Sequence, residues 1–307
     1  MGRAVSGVAR PYVDRPVGDV DTARTAAAAA LRDWGVAAEP ALVRVGMNAL
    51  FAVPGQPIVL RVGHATGTAA ASHRLLTALA AAGLPVPAPV EGWAADVDGF
   101  AVTAWERVRE VRMAVRWELV GAAVRALHDL PPTVVPSDYP APSPTAFPWW
   151  DFAALLADVG GEIDPAARAG IEAAIERNAW WRDAVTEGEV VCHGDVHPGN
   201  VVVAPAGPLL LDWDLLCRAN PAWDHAALLV QAERWGGDPA MYPRFAEGYG
   251  RDFRDDPLAV ALGELRNVAA TLMRVRAGRA DPAAAEEAQR RLRYWRGEPD
   301  APQWRAQ

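Results

Sequence analysis

The run His193-Gly194-Asp195-Val196-His197-Pro198-Gly199-Asn200 holds the densest chemistry in the chain, and Leu211-Asp212-Trp213-Asp214 follows closely. Asp195, Asp212 and Asp214 offer carboxylate oxygens, Asn200 an amide oxygen, and His193 and His197 imidazoles. Short apolar runs flank them: Val190 to Cys192, Val201 to Val203 and Leu209 to Leu211. The last two, on either side of an Ala-Pro-Ala-Gly-Pro turn, predict a β-hairpin. Folding it about Ala206 brings Asn200 and Asp212 to its open end, with Asp195 on the adjoining loop. A base beside a hydroxyl and hard oxygen ligands for Mg²⁺ are what phosphoryl transfer from a nucleotide requires.

Two other chemistries compete for the same residues. His193, Asp195 and His197 alternate, so on a strand they would share a face and could ligate a metal in a hydrolase. Against this, Gly194, Pro198 and Gly199 break strand geometry, and no second His-rich cluster supplies the remaining ligands. The plainest alternative is a polar turn in an ordinary domain.

The spacing His193-x-Asp195-x-x-x-x-Asn200 follows the catalytic loop of protein kinases, and Asp212 falls where their second metal-holding Asp is expected. With Leu-Asp-Trp-Asp and then Asn220-Pro221-Ala222-Trp223-Asp224, the chain resembles the aminoglycoside phosphotransferase/choline kinase family from about residue 40 onward. The resemblance implies an α+β, bilobal, protein-kinase-like fold. A small N-terminal antiparallel-sheet lobe (residues 1–103) would bind nucleotide. A larger, mainly helical C-terminal lobe (104–307) would carry catalysis and the acceptor. The implied reaction moves the γ-phosphoryl group of ATP or GTP, with Mg²⁺, to a hydroxyl of an aminoglycoside-like antibiotic or related small metabolite.

The resemblance also assigns roles. Asp195 orients the hydroxyl and takes its proton, while His193 braces the loop. Asn200 and Asp212 hold Mg²⁺, with Asp214 assisting. Gly46, Asn48 and Ala49 lie on the loop that covers the phosphates, and Arg61 grips them. Trp105, Glu106 and Arg107 form the hinge whose backbone binds the base, and Asp224 braces the catalytic loop.

The chain departs from the family pattern at two places. It contains no lysine, so an arginine must stand where kinases put the phosphate-contacting Lys. Arginine offers a planar, bidentate grip instead of a point charge. In kinases a helix Glu anchors that cation. Here Ser72-His73 occupies the expected place, and no acidic residue lies between Val62 and Val90. That gap motivates an alternative, a nucleotide-binding pseudokinase without transferase activity.

Composition narrows the class. The length of 307 residues suffices for two lobes, and 51% hydrophobic residues indicate a globular protein. No apolar run approaches membrane-spanning length, and the N-terminus lacks a signal-peptide core. Cys192 and Cys217 are the only cysteines and lack metal-type spacing, which predicts two buried thiols in a reducing cytoplasm. Residues 1–150 balance 13 acidic against 13 basic side chains, whereas 151–307 hold 25 and 17 and account for the net charge of −8. This acidity argues against nucleic acid and favours cationic or neutral small molecules, although a solvated acidic face explains it equally well.

Along the chain, residues 1–20 lack periodicity and read as an arm. Asp21-Thr22 caps a helix that Gly35 stops. Ala41 to Val53 predicts two strands about Gly46-Met47-Asn48, Pro57 to Val62 and Phe100 to Thr103 two more, with a helix from Ala69 to Ala82 between them. Further helices are predicted near 114–130, 166–176, 179–184, from Trp223, and over 257–277 and 283–296. His128 suits a capping or core role. Residues 131–148 hold seven prolines, too many for a helix or central strand. Their aromatics Tyr139 and Phe147, with Trp149 and Trp150, either wall an acceptor pocket or anchor the loop.

Overall fold

A computed structural model describes residues 16–65 and 67–305. Over residues 1–15 the expected arm lies outside the described residues. Helix α1 (Val20–Asp33) precedes strands β1 (Ala41–Val45), β2 (Ala49–Ala52) and β3 (Ile58–His64), helix α2 (Ala69–Ala81), and strands β4 (Pro89–Val97) and β5 (Phe100–Glu106). Next come helices α3 (Trp117–His128), α4 (Phe152–Val159), α5 (Pro165–Arg177) and α6 (Trp181–Ala184). Strands β6 (Val190–Cys192), β7 (Val201–Ala204), β8 (Gly207–Leu210) and β9 (Cys217–Ala219) follow. The last helices are α7 (Ala222–Leu229), α8 (Gln231–Arg234), α9 (Met241–Tyr249), α10 (Pro257–Ala277) and α11 (Pro282–Trp295).

These elements form two compact units whose chain segments interleave. The first gathers the described part of 1–115 with 131–141 and 201–215; the second holds 116–130, 142–200 and the described part of 216–307.

In the first unit the five strands form one antiparallel sheet in the order β1-β2-β3-β5-β4. Helix α1 presents Ala23, Ala26, Ala27, Ala30 and Leu31 on one face, the spacing of an amphipathic helix. That face joins Phe51, Leu60, Val62 and Val102 in a buried core. The cap of α1 is Asp19 and not Asp21-Thr22, because its side chain, outside the helix, accepts from the N–H groups of both. Strand β4 has no counterpart among the predicted strands. It pairs with β5 across an Asp98-Gly99 turn, both residues with positive φ, as tight hairpins require. The predicted β7–β8 hairpin is present, with Val201 opposite Leu210.

The second unit is mainly helical. Strand β6 pairs with β9, setting Cys192 opposite Cys217. Helices α3 and α9 approach so closely that a Cβ on Gly121 would overlap the Phe245 carbonyl, and one on Gly248 the Glu118 carbonyl. Helices α4, α8 and α9 were not expected from the pattern. The proline-rich segment breaks into single 3-10 turns, each beginning at a proline, where the missing N–H costs nothing. Its aromatics settle mostly inward. Phe147 and Trp150 are buried, Trp150 packs 4.5 Å from Trp223 and 5.0 Å from Trp181, and Trp149 stacks on Phe147.

Candidate active site

In the second unit, β6 delivers the chain to Gly194, whose φ of 90° is a left-handed value suited to glycine. The turn aims the N–H groups of His193 and Gly194 at Asp224, which accepts each at 2.8 Å. Asp224 is 1% exposed on α7 and is itself held by His128 Nε2 at 3.0 Å. His128, on α3, shares its Nδ1 with the Tyr249 hydroxyl of α9. Three helices therefore fix one peptide turn. His128 is no helix cap; it positions the brace. Burial opposes its protonation, but Cys192 and Asp224 beside it raise its pKa to about 10.

Asp195 follows that turn, with its N–H 3.3 Å from His193 Nδ1. Its Oδ2 accepts from Asn200 Nδ2 at 3.0 Å and lies 3.4 Å from His197 Nε2. Asn200 donates again to the Asp195 carbonyl at 2.9 Å, so its amide nitrogen is engaged and its oxygen is left for another partner. The other carboxylate oxygen, Oδ1, pairs with Arg266 of α10. Burial would raise the Asp195 carboxyl, but Arg266, with His197 and His193, holds it well below the usual carboxylate range. Arg266 escaped the sequence reading, since it stands 71 positions from Asp195 on a helix that also carries Arg274 and Arg276.

In the first unit, Arg61 of β3 points at Asp214, which it meets through Nη2, with Asp212 3.7 Å away. Asn48 donates to the same Asp214 oxygen at 3.2 Å. Gly63 lies so close to the Asn48 side chain that any Cβ there would displace it. Burial disfavours the Arg61 charge, yet Asp214 and Asp212 outweigh it and raise the guanidinium pKa. The acid absent from α2 is thus supplied by Asp214. Tyr139 belongs to this cluster and not to a pocket wall: it is buried and donates to the Trp213 carbonyl at 3.2 Å. Asp212 has a φ of 62°, rare for a residue with a side chain and typical of functional positions.

The remaining nucleotide candidates are mostly backbone. Gly46 donates its N–H to the Asn48 carbonyl, closing the β1–β2 turn, and Ala49 is a buried strand residue opposite Val62. At the predicted hinge, Glu106 N–H already bonds Ala88 and Arg107 N–H bonds Pro57, and Trp105 Nε1 bonds Thr103. Among the described residues, the N–H groups of Val108 and Arg109 meet no backbone acceptor. No described helix is long and apolar enough to cross a membrane.

The model of the phosphotransferase enzyme family matches residues 48–262, which include both candidate clusters apart from Arg266. The chain belongs to the phosphotransferase enzyme family. This phosphotransferase is 30% identical over 194 residues to an aminoglycoside 3'-phosphotransferase of Streptomyces fradiae, a match covering 55% of the chain and 67% of the relative. Its fold is shared with an aminoglycoside 2'-phosphotransferase solved with GDP (TM-score 0.65, 13% identity, 89% of this chain and 98% of that one). It is shared also with a choline/ethanolamine kinase family protein from Mesorhizobium loti (TM-score 0.61, 16% identity, 91% and 95%). The phosphotransferase is therefore an enzyme with the α+β, protein-kinase-like architecture, a five-stranded antiparallel sheet with a largely helical second unit.

Proposed function

We propose that this enzyme transfers the γ-phosphoryl group of ATP or GTP to a hydroxyl of a small molecule, an aminoglycoside-like antibiotic or a related metabolite. The observation that carries the reading is the setting of Asp195: partly exposed, with Asn200 and His197 on one oxygen, Arg266 on the other and a braced peptide turn behind it. The acceptor hydroxyl donates to this carboxylate, which orients its oxygen toward phosphorus. As the new P–O bond forms, the bond to the β-phosphate oxygen breaks and the nucleoside diphosphate leaves. The hydroxyl proton passes to Asp195. Because Arg266 and the histidines keep the carboxyl acidic, this proton moves late, as suits a loose transition state with little demand for a strong base.

The donor set fits Mg²⁺. Asp212 and Asp214 offer carboxylate oxygens, and the Asn200 amide nitrogen is engaged by Asp195, leaving a hard oxygen ligand. Bound Mg²⁺ supplies charge neutralisation on the phosphate oxygens. Asp212 and Asn200 are the proposed ligands, with Asp214 divided between assisting them and orienting Arg61. Arg61 and the 46–49 turn bind phosphate, and the 105–107 segment binds the base. Residues 1–103 would serve the nucleotide and 104–307 the acceptor. Two free, buried thiols support a reducing cytoplasm as the site of action.

The test is nucleotide turnover with MgATP and MgGTP against aminoglycosides, other antibiotics, amino-alcohols and sugars. Acceptor-dependent release of diphosphate is expected and Asp195→Asn should abolish it. Full rate in that variant would sink the assignment.

A further inference from the structure

Arg266 is built into the site, and the reaction as written gives it no task beyond holding Asp195. Its Nη2 is on Asp195 Oδ1, and among the described residues its other N–H groups donate to nothing. The guanidinium side chain is 23% exposed and that of Asp195 21%, so solvent reaches both members of the pair. Guanidinium presents five donors in a rigid plane matched to two oxygens of one anion. One nitrogen of this plane is used by the base, and the side chain keeps part of its surface in solvent.

A hydroxyl donating to Asp195 arrives within about 3 Å of the carboxylate, and therefore close to the guanidinium paired with it. A cationic substituent there meets a like charge at close range. A neutral one accepts from the donors more weakly than an anion does. A carboxylate or phosphate accepts two of them in parallel, the strongest pairing a guanidinium makes. The acidic surplus of residues 151–307 is counted over the whole segment and not at Asp195, and several of its carboxylates already face arginines of their own. Asp158 and Glu162 face Arg279, Asp164 faces Arg296, and Glu264 faces Arg177.

We infer that the acceptor belongs to the related metabolites and not to the polycationic aminoglycosides: it carries an anionic group, a carboxylate or a phosphate, a few bonds from the hydroxyl that is phosphorylated, and Arg266 binds it. Arg266 is then a specificity residue: it selects the acceptor through the charge beside the reacting oxygen. This rests on the proposed role of Asp195.

The probes for the test share a glycerol skeleton and differ in one terminal group: glycerate, glycerol phosphate, glyceramide, glycerol and aminopropanediol. Binding to the full chain without nucleotide is read by ligand-observed NMR, for the wild type, Arg266→Gln and Arg266→Lys. Expected is at least about tenfold tighter binding of one anion than of the neutral and cationic probes. That advantage should vanish in Arg266→Gln and largely survive in Arg266→Lys, which keeps the charge beside Asp195. Which anion binds better identifies the group. The inference is overturned by a neutral or cationic probe binding as tightly as both anions, by no anion binding, or by anion binding unchanged in Arg266→Gln. The thermal shift with MgATP or MgGTP on the same preparations separates the two levels of the argument. A protein that binds nucleotide and fails the anion test loses only the acceptor assignment; one that binds no nucleotide loses the phosphotransfer reading itself.

Discussion

Asp214 and Asp212 stand two residues apart in different surroundings. Asp214 meets Arg61 and Asn48, whereas Asp212, exposed and in left-handed backbone, lies 3.7 Å from the same guanidinium. Asp214→Asn should therefore loosen Arg61 and weaken nucleotide binding by about tenfold or more, the scale of one lost charge-assisted bond. Asp212→Asn should instead raise the Mg²⁺ concentration needed for turnover. Calorimetric titration with nucleotide, in the presence and absence of Mg²⁺, distinguishes them. If Asp214→Asn binds nucleotide like the wild type and only the Mg²⁺ requirement moves, Asp214 is a metal ligand. For Asp195→Asn, a loss of about 10²–10⁴ in turnover with nucleotide affinity kept is expected of a proton acceptor.

At the scale of elements, the junction of α3, α7 and α9 holds the turn that precedes Asp195. Asp224→Ala would strand His128 and two N–H groups in a dry interior, a cost of about 3–5 kcal/mol, measurable by urea unfolding. The His128 pKa is raised from 6.5 to about 10, so the stability it contributes is complete below pH 6.5 and is lost as pH climbs toward 10. The Asp224 carboxyl, lowered from 3.8 by His128 against the opposing effect of burial, adds stability above that pH that acid removes. The thermal midpoint should decline on the alkaline side, and His128→Phe, less stable overall, should flatten that decline; an equal slope in the variant would clear His128 of the effect. Gly121→Ala and Gly248→Ala should each cost about 1–3 kcal/mol by prising α3 from α9. Much of this framework was legible in the sequence. Helices α10 and α11 carry long apolar periodicity behind Asp-Pro starts, and the glycines and prolines of 193–200 mark the loop. Strand β4 was obscured by Gly92 and a weak alternation. Helix α4 has only eight residues, and α9 carries Pro243 and Gly248. Contacts such as Asp214 to Arg61, 153 positions apart, leave no local trace.

For the whole molecule, a ligand bound only by the folded state raises stability by about 2.7 kcal/mol at a hundredfold excess over its dissociation constant. MgATP or MgGTP should therefore shift the unfolding midpoint, and the nucleotide giving the larger shift at equal concentration is the preferred donor. Cys192 and Cys217 are both fully buried and free, and burial raises both thiols above their ordinary pKa. A thiol-reactive dye should find neither cysteine in the native protein and both after denaturation. Rapid labelling of the folded form would contradict that burial.

The interleaving of the two units reaches back to synthesis. A ribosome delivers the chain from its N-terminus, and the first unit draws its last segment from 201–215, beyond the whole of the second unit's first two segments. Vectorial completion of one unit before the next begins is closed to this protein. Its first unit must wait, with the sheet's strands all made but the 201–215 segment still missing, through roughly a hundred further residues at about 5–20 residues per second. During those seconds the exposed edge of β1, with Leu42, Val43 and Val45 open to solvent, is where a nascent chain would call on a chaperone.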